Sequence, residues 1–145
     1  MTQADLPESL AAIRDDFLAL EQGERLQLLL EFSHELPELP DRYADHPDLL
    51  ERVVECQSPV FLFVEVDDAR TVHVFMTAPR ESPTTRGFAS ILAQGLAGLT
   101  VEQVLAVPSD FPFDLGLTEA VSPLRLRGMI GMLGRIQRQV KERAA

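Results

Sequence analysis

The sequence is poor in the residues that most often carry chemistry. Its 145 residues include one cysteine, Cys56, and three histidines, His34, His46 and His73. A single cysteine excludes an intrachain disulfide framework and any metal site built from cysteines alone. A zinc site takes about four ligands, and one cysteine with dispersed histidines offers no recognisable spacing. The histidines therefore read as surface or internally satisfied residues, and no metal site is expected. No G-x-x-x-x-G-K-[ST], G-x-G-x-x-G or H-E-x-x-H run occurs, which removes the usual signals of phosphate loops, dinucleotide folds and zinc hydrolases. Paired carboxylates for acid–base catalysis do not stand out, and Asp67-Asp68 reads simply as a turn.

Positive charge is also scarce: 13 Lys and Arg stand against 23 Asp and Glu, for a net charge of −10. Such a chain repels phosphate backbones, so nucleic acid is a poor partner. No window approaches the ~20 apolar residues that a membrane span needs. The N-terminal "MTQADLPESL" lacks the basic region and apolar run of a secretory signal. With a free thiol, these absences lead us to expect a soluble protein of the reducing cytoplasm.

What is present supports a folded core. Hydrophobic residues make up 46% of the chain, enough at this length for one domain spanning 1–145. Charge is unevenly placed. Met1 to Gln57 carries 14 acids and 4 bases, whereas Pro123 to Ala145 carries 6 bases and 1 acid. That asymmetry reads either as a solubilising acidic surface with a helix cationic at its C-terminal end, or as a docking face that steers a partner.

Leu10, Ile13, Phe17 and Leu20 fall at helical spacing and predict a helix over about 8–20. Gly23 should interrupt it. Leu26, Leu29, Leu30 and Phe32 predict a second helix ending near Pro37, forming a hairpin with the first. The proline-bearing acidic stretch "PELPDRYADHPDLLE" reads as a long connection with one helical turn near Pro47–Glu51. In "PVFLFVEVDDARTVHVFM", Val60, Leu62, Val64 and Val66 alternate along one strand, and Val72, Val74 and Met76 along the next. "DDAR" supplies the turn between them. Val53-Val54-Glu55 predicts a third short strand, paired across a turn at Cys56, with Pro59 opening the strand that follows.

Helix returns in "SPTTRGFASILAQGLAGL", with Phe88, Ile91, Leu92, Leu96 and Leu99 as its stripe. Thr100 and Gln103 form a capping-box pattern, and "SDFPFDLGLTEA" reads as a helical turn or two with loop. Ser122 caps a last helix with Pro123 at its first position, burying Leu126, Met129, Ile130, Leu133 and Ile136. Gly128, Gly131 and Gly134 each cost that helix about 1 kcal/mol against alanine, which implies close packing against a neighbour. The order αα-β-β-β-α-α-α is that of an α+β fold, a small antiparallel three-stranded sheet with helices packed on one face.

Cys56 sits in "VVECQSPVFLF", between two apolar segments rather than inside one. Either the thiol is tucked under the turn as a small hydrophobe, or the turn exists to present it. Turn placement suggests exposure, and a nearby arginine from the basic last helix would favour the thiolate, the reactive form. Glu55, the neighbouring acid, would oppose it.

Four stretches together resemble a known family. "CQSPVF" resembles the C-Q-S-x-V-W element of SufE-type sulfur acceptors, the partners of cysteine desulfurases in iron–sulfur cluster assembly. "LPELP" is similar to that family's L-P-x-L-P, "TTRGFASIL" to its x-x-[KR]-G-L-x-x-x-L, and "SPLRLRGM" to its S-P-x-R-x-x-G-[LM]. The order and spacing agree from about Leu10 to Val140. The resemblance implies the SufE/IscU-like α+β fold, with Cys56 as the persulfide acceptor. It also implies Arg125 as the arginine opening the last helix and Glu81 as an acidic residue near the start of the preceding long helix. Partners implied are a SufS-like cysteine desulfurase, whose own cofactor is pyridoxal phosphate, and an iron–sulfur scaffold. The chain would act as a monomer or weak homodimer, stimulating the desulfurase rather than working as a stand-alone enzyme. Glu55 stands where the family usually has glycine, and Phe61 where it has tryptophan. Two other readings remain: a non-catalytic interaction module with a buried structural cysteine, and a cluster scaffold, which one cysteine per chain serves poorly.

Overall fold

A computed structural model describes residues 6–145. Part of the N-terminal stretch read above for a secretory signal lies outside the described residues. Two helices open the fold, α1 (Glu8–Leu18) and α2 (Gln22–Ser33). They meet where the rings of Phe17 and Phe32 stack 5.9 Å apart. The break between them falls before Gly23, which lies inside the first turn of α2. Glu21 sets it: its backbone is extended, and its N–H donates to the Glu24 carboxylate at 3.4 Å. That reciprocal arrangement starts a helix whatever residue sits between.

The connection that follows contains one turn of helix, α3 (Asp41–Ala44), and a 3-10 turn, Pro47–Leu49. Three antiparallel strands come next in the order β1-β2-β3: β1 (Glu51–Arg52), β2 (Phe61–Val66) and β3 (Val72–Thr77). Glu51 pairs with Leu62, and the β2–β3 ladder runs from Phe61 opposite Thr77 to Val66 opposite Val72. The third strand is thus earlier and shorter than Val53–Glu55. Only the Val53 N–H continues its pairing, donating to the Val60 carbonyl at 2.8 Å, and Val54 and Glu55 already belong to the turn.

Because β1 is so short, β2 has an unpaired edge from Val64 onward, and side chains complete it. Gln139 Oε1 accepts from the Val64 N–H at 2.8 Å, and Arg143 Nε donates to the Val64 carbonyl at 2.5 Å. An edge treated this way offers no template for another strand. Both residues come from α6 (Pro123–Ala144), which packs with α4 (Pro83–Leu96) on one face of the sheet. Leu62, Val64, Val72 and Met76 point into that layer and are buried. Phe88, Ile91, Leu92 and Leu96 of α4 and Leu126, Met129, Leu133 and Ile136 of α6 answer them, each buried side chain contributing about 2 kcal/mol. Ile130 is only partly buried, and Met132 fills the core in its place. On the other face Tyr43 of α3 lies against Phe63 and Phe75, with centroids 4.8 and 5.3 Å away, and Arg143 stacks over Phe63.

Between the long helices lie α5 (Val101–Leu105) and a 3-10 segment, Phe111–Leu115. The expected caps form. Thr100 Oγ1 accepts from the Gln103 N–H at 3.1 Å, and Ser122 Oγ from the Arg125 N–H at 3.3 Å. Among the described residues no helix is long and apolar enough to cross a membrane.

Candidate functional site

Cys56 lies in the turn between β1 and β2, its N–H bonded to the Val53 carbonyl at 3.1 Å. The side chain points inward, the first of the two arrangements open to it in the sequence, although turn placement suggested exposure: the residue is 7% exposed. The reason is α6. Its Gly128 carbonyl accepts a hydrogen bond from the Cys56 thiol at 3.6 Å, and the missing side chain lets the turn approach. A Cβ at position 128 would sit 3.0 Å from Sγ. One helical turn on, a Cβ at position 131 would meet the Glu55 side chain at 2.8 Å. The close neighbour implied by the glycine spacing is therefore the cysteine turn itself. Gly134 faces no such neighbour.

Glu55 lies flat across Gly131 to reach Arg135, whose Nε and Nη2 donate to its carboxylate at 2.8 and 3.2 Å. Arg135 Nη1 also donates to Glu51 at 2.6 Å, and Glu51 accepts from Arg138 and from Gln139, the latter at 2.7 Å. Two acids of the β1 segment are thus bound by three side chains of α6. This network absorbs charges that the sequence suggested as a docking face. Arg135 and Arg138 are paired, and Arg143 is engaged with Val64 and Phe63.

Electrostatics keep the thiol protonated. Burial, reinforced by Glu55 and opposed weakly by Arg135, pushes Cys56 up to about 11. At pH 7 that leaves roughly one molecule in ten thousand as thiolate. Glu55 itself is held below the usual carboxylate range by its hydrogen bonds to Arg135. Its backbone is ordinary: among the described residues only Arg70 is a non-glycine with positive φ. The glutamate at this position therefore needs no left-handed geometry that glycine alone would tolerate. Phe61 begins β2 and is partly buried.

A small cleft, with about 40 Å³ of room, opens beside Sγ. Glu55, Cys56, Gln57 and Ser58 form one wall, Thr85 of α4 another, and Leu124, Arg125 and Gly128 of α6 the third. Arg125 thus shares the cleft with Cys56, and it makes no ion pair among the described residues. Glu81 is exposed in the connection before α4 and does not line the cleft. Next to it, Ser82 is hydrogen-bonded through its hydroxyl to Ser58 at 2.6 Å, which ties that connection to the cysteine turn. Leu124, 45% exposed, gives the opening an apolar edge. Thr85 and Arg135 escaped sequence reasoning. The glycine spacing pointed to a close contact on α6, but nothing in the sequence said what approached it.

His34, His46 and His73 do not converge, and His73 pairs with Asp67 at 3.0 Å in the β2–β3 hairpin. Among the described residues, no three His, Cys, Asp or Glu side chains come together as metal ligands.

Fold and site define a small α+β protein that carries one buried thiol on a strand turn, beside a cleft between two helix starts. Residues 11–140 match the model of the SufE family, described as an Fe-S metabolism associated domain. The chain belongs to that family. It is 50% identical over 139 residues to an uncharacterised SufE-like protein of Mycobacterium tuberculosis, covering 96% of each chain. It is 25% identical over 114 residues to the cysteine desulfuration protein SufE of Plasmodium falciparum, spanning 77% of this chain and 44% of that one. The solution structure of a hypothetical protein from Thermus thermophilus superposes with a TM-score of 0.83 at 37% identity, covering 96% and 98% of the two chains.

Proposed function

We propose that this protein accepts sulfane sulfur on Cys56 from a cysteine desulfurase and delivers it to iron–sulfur cluster assembly in the cytoplasm. The observation that carries the reading is the placement of the chain's one cysteine, in a family motif, on a turn beside a cleft lined by Arg125. The name of the Plasmodium relative, a cysteine desulfuration protein, supports the same class of chemistry. A SufS-like desulfurase would remove sulfur from L-cysteine with its own pyridoxal phosphate and carry it as a cysteine persulfide. The Cys56 thiolate attacks the outer sulfur. A new S–S bond forms to Cys56, the donor's S–S bond breaks, and the donor cysteine leaves as thiolate. Oxidation states balance, and the chain needs no cofactor of its own. Acting as a monomer or weak homodimer, it would then hand the sulfur to a scaffold.

The thiol at rest is poorly suited to attack, being buried and protonated. Transfer therefore requires the partner to draw the turn out or to bring positive charge to it. A second reading draws on the same burial: a structural cysteine that only packs beneath its turn. Replacement separates the two. In Cys56→Ser the hydroxyl can still donate to the Gly128 carbonyl, so the fold and melting temperature should be nearly unchanged. Wild type mixed with desulfurase and cysteine should gain one sulfur by mass at Cys56, and the serine variant none. If the serine variant stimulates sulfide release from the desulfurase as wild type does, the acceptor reading is wrong.

A further inference from the structure

With 23 acids against 13 Lys and Arg, an exposed cation of this chain has carboxylates in plenty to pair with. Arg42 pairs with Glu65, Arg70 with Glu102, and Arg138 with Glu51 and Glu142. A second cleft departs from that pattern. It lies between the end of α2 and the start of α4, lined by Leu30, Ser33, His34, Arg80, Pro83 and Arg86. Among the described residues, none of its three basic side chains makes an ion pair, not even with Glu81, which adjoins Arg80 in the chain. Arg80 and His34 are exposed. Arg86 is fixed, its Nε donating to the Ser33 carbonyl at 2.8 Å and its Nη1 to the Ala78 carbonyl at 2.5 Å. Both acceptors are neutral, so the positive charge is held in place and left uncompensated.

This cleft adjoins the cysteine. Thr85 lines the opening beside Cys56, while Pro83 and Arg86, in the same turn of α4, line this one. Ser82, at the start of that turn, is tied to the cysteine turn through Ser58. A protein large enough to present sulfur to Cys56 therefore covers both openings. The room is about 240 Å³, below the ~300 Å³ at which small-molecule and cofactor sites begin, and it suits a side chain. Guanidinium groups without carboxylate partners select a carboxylate, which they bind through charge-assisted hydrogen bonds. A chain of net charge −10 otherwise repels acidic surfaces, so a cluster of free cations fixes where such a surface can land. We propose that the His34–Arg80–Arg86 cleft is the docking contact for an acidic segment of the sulfur donor, seated there while the donor's persulfide faces Cys56. The proposal rests on the sulfur-acceptor reading and gives its partner a landing site. Arg86 supplies the fixed charge, and Arg80, exposed and unpaired, the steering charge.

Arg80 is the residue to change, because Arg86 also holds two backbone carbonyls. The rate of sulfur loading onto Cys56 is measured against the concentration of this protein, with its own organism's SufS-like desulfurase and cysteine, at low and at physiological salt. Arg80→Glu should raise the half-saturating concentration about ten-fold at low salt, and less at physiological salt, because exposed charges are screened. The rate at saturation should not change, since the chemistry lies at Cys56. Arg80→Lys should stay close to wild type. Lys141→Glu makes the same change in net charge at an exposed site, about 24 Å along α6 from Arg125, and should also stay close to wild type. An Arg80→Glu protein that saturates like wild type overturns the docking contact and leaves the acceptor reading standing. Equal losses in Arg80→Glu and Lys141→Glu overturn it too, because the effect is then net charge rather than place. So does a lower rate at saturation with half-saturation unchanged. A desulfurase that neither loads nor binds the wild-type protein removes the acceptor reading, and the docking contact with it.

Discussion

Two turns join the three strands, and they differ in how much of their support is local. The β2–β3 turn, Asp67 to Thr71, is closed first by its own residues, with Arg70 also pairing with Glu102 and accepting at its carbonyl from the Val101 N–H of α5. Asp67 Oδ1 accepts from the Ala69 and Thr71 N–H groups at 3.0 and 2.9 Å, and Arg70 takes the left-handed conformation at φ 63°. The β1–β2 turn around Cys56 has one backbone bond of its own, Cys56 N–H to Val53. Besides the Ser58 hydroxyl contact to Ser82, what shapes it comes from residues about 70 or more positions later: Gly128 beneath the thiol, Gly131 beneath Glu55, and Arg135 across the carboxylate. A turn closed by its own side chains keeps its shape in isolation. A turn closed by a distant helix keeps it only while the helix is seated, and a partner that competes for those contacts can open it. The chain places its thiol on the second kind.

The contrast can be broken from the helix side. Gly128→Val adds a Cβ that starts 3.0 Å from Sγ and carries two methyls toward the turn. Overpacking of this sort costs about 1–3 kcal/mol, and here it should lift the turn and speed thiol alkylation. Gly134, which faces open space, is the control: Gly134→Ala should stabilise by about 1 kcal/mol through helix propensity alone and leave alkylation unchanged. Thermal melts and iodoacetamide rates read both. If the valine variant melts and reacts like wild type, the helix does not hold the turn.

The reciprocal change is Asp67→Ala. It removes two bonds within the β2–β3 turn and the contact to His73, so amide exchange at Ala69 and Thr71 should quicken. Alkylation of Cys56 should not change, because that turn shares no support with this one. The two turns also differ in pH response. Asp67 is held below the usual carboxylate range, chiefly by His73, so its contribution is lost as pH falls through that lowered pKa. Glu55 behaves likewise, so both turns weaken in acid. Only the Cys56 turn should also weaken in alkali. Its thiol binds a proton more tightly folded than unfolded, so stability drops as pH rises from about 9 through about 11. Amide protection falling in step at both turns above pH 9 would contradict this.

What can be read from the chain follows the same division. The β2–β3 hairpin is legible because alternation and its turn residues lie within one short segment, and the Thr100 and Ser122 caps because a cap and its target are three residues apart. Local spacing also places the stripes of α4 and α6. The cysteine turn looks exposed in the sequence because its burial depends on α6, and no local pattern encodes a contact across 72 residues. Glycines at 128 and 131 announce a close approach without an address. The basic last helix reads as a source of free arginines, yet Arg135 and Arg138 are neutralised by acids from the opposite end of the charge asymmetry. Cys56 and Arg125 are reached through family motifs, and Thr85 is not reached at all.

The smallest expected effect concerns Glu55, the residue by which this turn departs from the family pattern. Glu55→Gly removes a negative charge beside the thiol and frees Arg135, the one nearby group that favours the thiolate. Both changes lower the thiol pKa. A single charge at about 4 Å acts through ~1 kcal/mol in water, which is under one pK unit. Burial is the larger cause and survives the substitution, because Gly128 still lies beneath Sγ. The glycine variant should therefore alkylate somewhat faster at neutral pH, with a pH–rate midpoint that falls but stays above 9. Partner-driven transfer should be similar or slower. A midpoint that drops all the way to the ordinary thiol value would mean that the glutamate latch, rather than the helix beneath it, keeps Cys56 inert. An unchanged midpoint would mean that its charge is fully cancelled by Arg135 and serves only to hold the turn against α6.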